Sequence, residues 1–116
     1  MNNQLHFPGI DFADSRYQSL KYSENTLTVF LEGWDESIIQ LRFVNPIEIS
    51  YKIGDLGATI YETHEGQILK HALSQYYENI PQNCPFKLFQ IMDIQDFPFI
   101  EIVAESVTAT KELRHG

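Results

Sequence analysis

The chain reads as an α+β fold: a twisted antiparallel sheet of six to seven strands with one amphipathic helix packed on one face. Two observations predict it. Leu27-Thr-Val-Phe-Leu31, Ile39-Gln-Leu-Arg-Phe43 and Ile47-Glu-Ile-Ser-Tyr-Lys-Ile53 put an apolar residue at every second position, the period of a sheet with one face on a core and one in water. Between Glu65 and Tyr77 the period changes, once, to that of an amphipathic helix.

Residues 1–14 read as irregular, with Pro8-Gly9 as a turn and Asp11, Asp14 and Ser15 as short side chains that cap or turn a backbone. Arg16 to Tyr22 is the first strand. Ser23-Glu24-Asn25 is a hairpin loop, because Asn tolerates the left-handed conformation. Thr26 to Glu32 is the second strand, Gly33-Trp34-Asp35-Glu36 the next turn, and Ser37 to Val44 the third strand. Asn45-Pro46 interrupts, since proline has no amide proton for a ladder. The fourth strand points Ile47, Ile49, Tyr51 and Ile53 inward. Gly54 to Gly57 is a loop, and Ala58 to Glu62 a short fifth strand.

The helix is expected over Glu65 to Asn79. Ile68, Leu69, Ala72, Leu73, Tyr76 and Tyr77 fall on one half of its wheel, with Gln67, His71, Ser74 and Glu78 opposite. Thr63 is the expected N-cap and Glu65 lies in the first turn; Asn79-Ile80-Pro81 ends the helix. Phe86 to Asp93 and Pro98 to Thr108 form two more strands around an Ile94-Gln-Asp-Phe turn, and the polar tail from Lys111 frays. No repeat or composition shift divides the chain, so a single domain over residues 1–116 is expected.

Composition bounds the function. The 116 residues are 43% hydrophobic and 13% aromatic, enough to bury roughly two-thirds of the unfolded surface around one core. Sixteen acidic against eight basic residues give a formal net charge of −8, which disfavours nucleic acid and anionic membranes and suits either solubility or a basic protein partner. A single cysteine, Cys84, allows no internal disulfide. The amino terminus lacks a basic, apolar leader, and no segment has the length of a spanning helix. A cytoplasmic location is expected, with no membrane partner.

No catalytic motif stands out. Glu62, His64 and Glu65 are the best alternative as metal ligands of a small enzyme, but their spacing matches no helix-borne ligand pattern. Cys84 lies between Asn83 and Pro85, an extended setting that offers no helix N-terminus to activate it. Gly54-x-x-Gly57 is too short for a phosphate loop, and the carboxylate pairs Asp35/Glu36 and Asp93/Asp96 sit in turns, where acidic residues are ordinary. The chain is therefore read as non-enzymatic, with neither metal nor cofactor.

Two segments carry more. Trp34, between Gly33 and Asp35-Glu36, either folds back as a core plug, the first expectation, or stands exposed among negative charges as an interface anchor. In Asp93-Ile-Gln-Asp-Phe-Pro-Phe-Ile-Glu101, three carboxylates alternate with apolar residues across one hairpin. The candidate partner-binding residues are accordingly Trp34, Asp35, Glu36, Asp93, Asp96 and Glu101.

At these residues the chain resembles small bacterial immunity proteins of polymorphic and contact-dependent growth-inhibition toxins. The likeness lies in Phe12-Ala-Asp-Ser15 and the hairpin Asn25-Thr-Leu-Thr-Val-Phe-Leu-Glu-Gly-Trp-Asp35, within roughly the first forty residues. Similar chains often carry His before the Asp; Ala13 stands here, so no role for that pair is carried over. The resemblance implies a cytoplasmic inhibitor that occludes a toxin domain, commonly a nuclease with a basic cleft. The alternatives are the metal-dependent enzyme above and an assembly protein that pairs through an exposed strand edge.

Overall fold

The computed structural model describes residues 3–52 and 57–113, so the expected loop at Gly54 to Leu56, the inward Ile53 and the last three tail residues lie outside the described residues. Its elements are β1 (Asn3–Gln4), β2 (Arg16–Ser23), β3 (Thr26–Glu32), β4 (Ile38–Val44), β5 (Glu48–Tyr51), β6 (Gly57–Thr63), α1 (Gln67–Tyr76), β7 (Lys87–Asp93), β8 (Pro98–Ala104) and β9 (Ser106–Glu112). All pairings are antiparallel.

The strands form two sheets rather than one: a five-stranded sheet ordered β1-β6-β7-β8-β5 and a four-stranded sheet ordered β2-β3-β4-β9. The expected strand from Pro98 to Thr108 is broken at Glu105, and its two halves belong to different sheets. The cause lies on the opposing chain. Ser106 pairs with Val44 and Val103 with Glu48, so three residues, Asn45 to Ile47, face two, Ala104 and Glu105. That surplus residue is a β-bulge, which bends a ladder sharply. Asn45 absorbs the bend in the left-handed region (φ 50), and its side-chain amide donates to the Glu105 carboxylate. The long ribbon folds over at this corner, and its two halves become facing sheets.

The alternation seen in the sequence supplies the filling. Leu27, Val29 and Leu31 of β3 and Ile39, Leu41 and Phe43 of β4 are buried against Ile60, Phe89, Ile91, Ile100 and Ile102 of the other sheet. Phe43 and Phe89, one from each sheet, meet with ring centroids 5.6 Å apart. Strand β5 departs from its expected polarity: Ile49 and Tyr51 are 40% and 47% exposed. It is an edge strand, and its inward face looks into the gap beside β2, where Leu20 and Tyr22 are also exposed.

Helix α1 lies on the outer face of the five-stranded sheet. Leu69, Ala72 and Leu73 bury against Phe86, Leu88 and Val103, with Ile47, Tyr77 and Cys84 half-buried around them. The helix is shorter than expected at both ends. Thr63 belongs to β6, paired with Leu88, so it cannot be the N-cap; its hydroxyl accepts the Glu65 amide instead, and Gly66 (φ 123) starts the helix. Tyr77 is already extended because its ring packs on Tyr76 and Phe86. Leu73→Ala should cost about 2–5 kcal/mol in chemical denaturation, the range for an enclosed leucine; a change within about 0.5 kcal/mol would mean the helix does not seal this layer.

Candidate functional site

The two acidic turns share a design. In the first, the Gly33 amide donates to Ser37 O (2.8 Å) and the Glu36 amide to Gly33 O (3.0 Å). In the second, the Asp93 amide donates to Phe97 O (2.8 Å) and the Asp96 amide to Asp93 O (3.0 Å). Each is thus a three-residue hairpin loop closed by a left-handed residue, Glu36 at φ 66 and Asp96 at φ 65. Each projects apolar surface: Trp34 and Phe97 are both 65% exposed and Ile94 55%. Trp34 is therefore on the surface and not the core plug expected first. The interior beneath it is already filled by Leu31 and Ile39, both fully buried.

The carboxylates divide by role. Asp35 Oδ1 accepts the Ser37 hydroxyl (2.6 Å) and amide (3.2 Å), and its Oδ2 lies 2.9 Å from Lys111 Nζ. The Ser37 hydroxyl first, then Lys111, hold the Asp35 carboxyl well below the usual carboxylate range. Asp93 Oδ1 likewise accepts the amides of Gln95 (2.9 Å) and Phe97 (3.0 Å). These two aspartates shape their turns, while Glu36 and Asp96 project at the loop apices. The lowered Asp35 pKa has a definite sign. Its native state binds the proton less readily than the unfolded chain, so its contribution is present above about pH 4, where unfolded Asp titrates, and is lost as pH falls. The stability gap between wild type and Asp35→Asn should therefore narrow in denaturation measured below about pH 4; a pH-independent gap would remove Lys111 and Ser37 as the cause.

A long-range contact gathers the two turns. Ser15, just before β2, bridges Gly57 at the start of β6, each amide donating to the other's carbonyl at 3.2 and 2.6 Å. Arg16 pairs with Glu32, the last residue before the first turn, and Gly57 pairs with Asp93, the first residue of the second. These paired steps hold the Cα atoms of Glu32 and Asp93 within about 20 Å. One end of the sandwich thus presents Trp34, Glu36, Ile94, Asp96 and Phe97, with the exposed Asp14 beside the bridge. From sequence Asp14 reads as a turn residue, and Ile94 and Phe97 as apolar members of the acidic hairpin from Asp93 to Glu101. Nothing local marks them as part of one surface, because the Ser15–Gly57 bridge is what brings them there.

Glu101, the sixth candidate, is elsewhere. It sits in the middle of β8 between Gln90 and Ser50, is 8% exposed, and its Oε2 accepts the Gln90 amide at 2.9 Å. The α1 layer covers this face, so strand alternation alone misplaces it at the hairpin end. The other expected set, Glu62, His64 and Glu65, is not assembled. Glu62 pairs with Lys87 at 3.5 Å, and among the described residues no three His, Cys, Asp or Glu side chains gather as metal ligands. Among the described residues no helix is long and apolar enough to cross a membrane.

The opposite polarity occurs on the outer face of the four-stranded sheet, where Lys21, Thr28, Arg42 and Thr108 form one cross-strand row beside Phe30 and Gln40. Two of the chain's cations, Lys21 and Arg42, thus lie on this face, while Lys111 is bound at Asp35 in the first acidic turn. No family model matches the chain, and searches of curated proteins and of solved structures return no match.

Proposed function

We propose that the protein is a cytoplasmic inhibitor of the immunity type, which docks on a basic protein partner, a toxin domain such as a nuclease, and occludes it without catalysis. The observation that carries this reading is the gathering of two acidic turns and three exposed apolar side chains, Trp34, Ile94 and Phe97, at one end of the sandwich. Aromatic side chains supply contact area that loses little entropy on binding; surrounding carboxylates orient and speed the encounter. The acidic balance of the whole chain acts in the same sense.

Growth protection tests it. Where a neighbouring gene encodes a toxin domain, cells expressing that domain should survive with the wild-type protein and lose protection with Trp34→Ala combined with E36K and D96K. Reversing Asp35 and Asp93 as well would confound the result, because both hold their turns. Full protection by a well-folded triple variant would reject the reading. A second reading, assembly through a strand edge, draws on the exposed Leu20, Tyr22, Ile49 and Tyr51 between edge strands β2 and β5. Against it, β2 carries Lys21 and an irregularity between Tyr17 and Ser19, devices that blunt an edge. A concentration-independent dimer in sedimentation would favour assembly.

A further inference from the structure

The inner faces of the two sheets lose their cover at one and the same seam. On β2, Leu20 and Tyr22 pair with Val29 and Leu27 and so share the core-facing side of their sheet. Yet they are 40% and 60% exposed, where those partners are 0% and 4%. On β5, Ile49 and Tyr51 pair with the fully buried Ile102 and Ile100 and are likewise exposed themselves. Both strands are sheet edges, and Tyr17 of β2 meets Tyr51 of β5 with ring centroids 4.9 Å apart. Beyond that contact Leu20, Tyr22, Leu27, Ile47 and Ile49 line a cavity of about 290 Å³. Apolar side chains at core-facing positions are left in water because each sheet ends one strand short here.

The backbone tells which edge is open to pairing. The Lys52 amide donates to Phe99 O of β8 (2.8 Å). Such pairs alternate in an antiparallel ladder, so Ser50 also turns its backbone groups to β8, while Ile49 and Tyr51 turn theirs to the open edge. Strand β2 offers no equal edge, because its register shifts between Tyr17 and Ser19. We propose that an extended segment of a protein partner adds to β5 as an antiparallel sixth strand of the five-stranded sheet. Its backbone pairs with Ile49 and Tyr51, and every second side chain is apolar and enters the cavity beneath Leu20 and Tyr22. The side chains between stand on the Glu48 side, where a Lys or Arg meets an opposite charge across the strands. A second copy fits less well. Its β5 brings only four residues, against roughly 20–30 residues and 800 Å² on each side of a stable interface. In a two-fold pair of β5 on β5, moreover, both four-stranded sheets lie on the same side of the joint, and the two β2 strands compete for the space over it. The inference goes beyond the proposed function, since it requires a strand from the partner and not the acidic turns.

The test is an NMR titration of the intact protein with acetyl-Lys-Val-Lys-Val-Thr-Val-Lys-amide, read at the backbone amides of Leu20, Tyr22, Ile49 and Tyr51. Saturable shifts are expected there, with slower hydrogen exchange at Ile49 and Tyr51 as their amides acquire partners. The same peptide N-methylated at its valines keeps every side chain but cannot donate to β5, and should bind about tenfold or more weakly, the equivalent of one or two lost hydrogen bonds. Ile49→Pro should weaken binding alike, since it removes an amide that faces the open edge and none that bonds β8. Should I49P fold poorly, L20Q serves, because Leu20 is exposed and an amide there faces the apolar row of the incoming strand. Equal binding of the N-methylated peptide, unchanged exchange at Ile49 and Tyr51 at saturation, or no saturable binding would each overturn the proposal. So would a dimer in sedimentation that L20Q abolishes, which would give the seam to a second copy. None of these results bears on the acidic turns, because no residue of those turns lines the seam.

Discussion

Phe43→Ala is expected to destabilise the protein by about 3–5 kcal/mol, the largest effect of any single truncation considered. Phe43 is fully buried and is the four-stranded sheet's half of the ring pair that joins the two layers, with Phe89 as the other half. Truncation removes the transfer energy of a ring and leaves a void between two sheets whose spacing is set by many other side chains, so little collapse can offset it. A domain of this size has only about 5–15 kcal/mol in hand, so the variant should be partly unfolded at modest denaturant. The midpoint of urea unfolding reports it directly. A loss below about 1 kcal/mol would mean that the sheets do not meet through these rings.

Gly57→Ala should act on stability and binding together, with a stability loss of about 1–3 kcal/mol, the usual range for overpacking. A Cβ at Gly57 would lie 2.7 Å from Ser15 Oγ, while the next atom, Ser15 O, is 3.6 Å away. Ser15 is fully buried and cannot swing its hydroxyl into water. Among the described residues that hydroxyl also lacks a hydrogen-bond partner, so deleting it removes an unmet polar group. Ser15→Ala is therefore expected to be neutral or stabilising, and to rescue Gly57→Ala in the double variant. If the two effects simply add, the clash is not the cause. The consequence reaches function, because this bridge sets the spacing of the two acidic turns; Gly57→Ala should weaken partner binding more than its stability loss explains, and Ser15→Ala should restore it.

Much of this architecture is legible in the residues. Strands β3 and β4 follow from strict alternation, and α1 from its apolar half-wheel, because both periods are local. The division into two sheets is not local. The 98–112 stretch has no Gly or Pro at Glu105 to mark a break; the bend is imposed by the extra residue at Asn45–Ile47 on the opposing strand. The site divides in the same way. The turns at Gly33 and Asp93 are readable from their short polar residues, whereas their meeting depends on Ser15 and Gly57, forty-two positions apart in the chain. Glu101 shows the converse: alternation marks it as a polar strand residue, but a helix from elsewhere in the chain covers its face and makes it a buried carboxylate.

The proposed function requires an acidic, aromatic end to dock on a basic partner. Stopped-flow association with the proposed partner, a purified toxin domain, followed through Trp34 fluorescence across a range of ionic strength, tests it most directly. Electrostatic steering raises on-rates by roughly 10- to 1,000-fold at low salt, and it decays once the screening length falls below about 8 Å. The wild-type rate should therefore drop by at least about tenfold from low to high salt, and E36K/D96K should flatten that slope with the fold retained, any loss of thermal stability coming from Lys in the left-handed conformation of these two loop residues. A flat salt dependence for the wild type, or an unaltered slope in the folded double variant, would contradict the claim and leave the net negative charge as a matter of solubility.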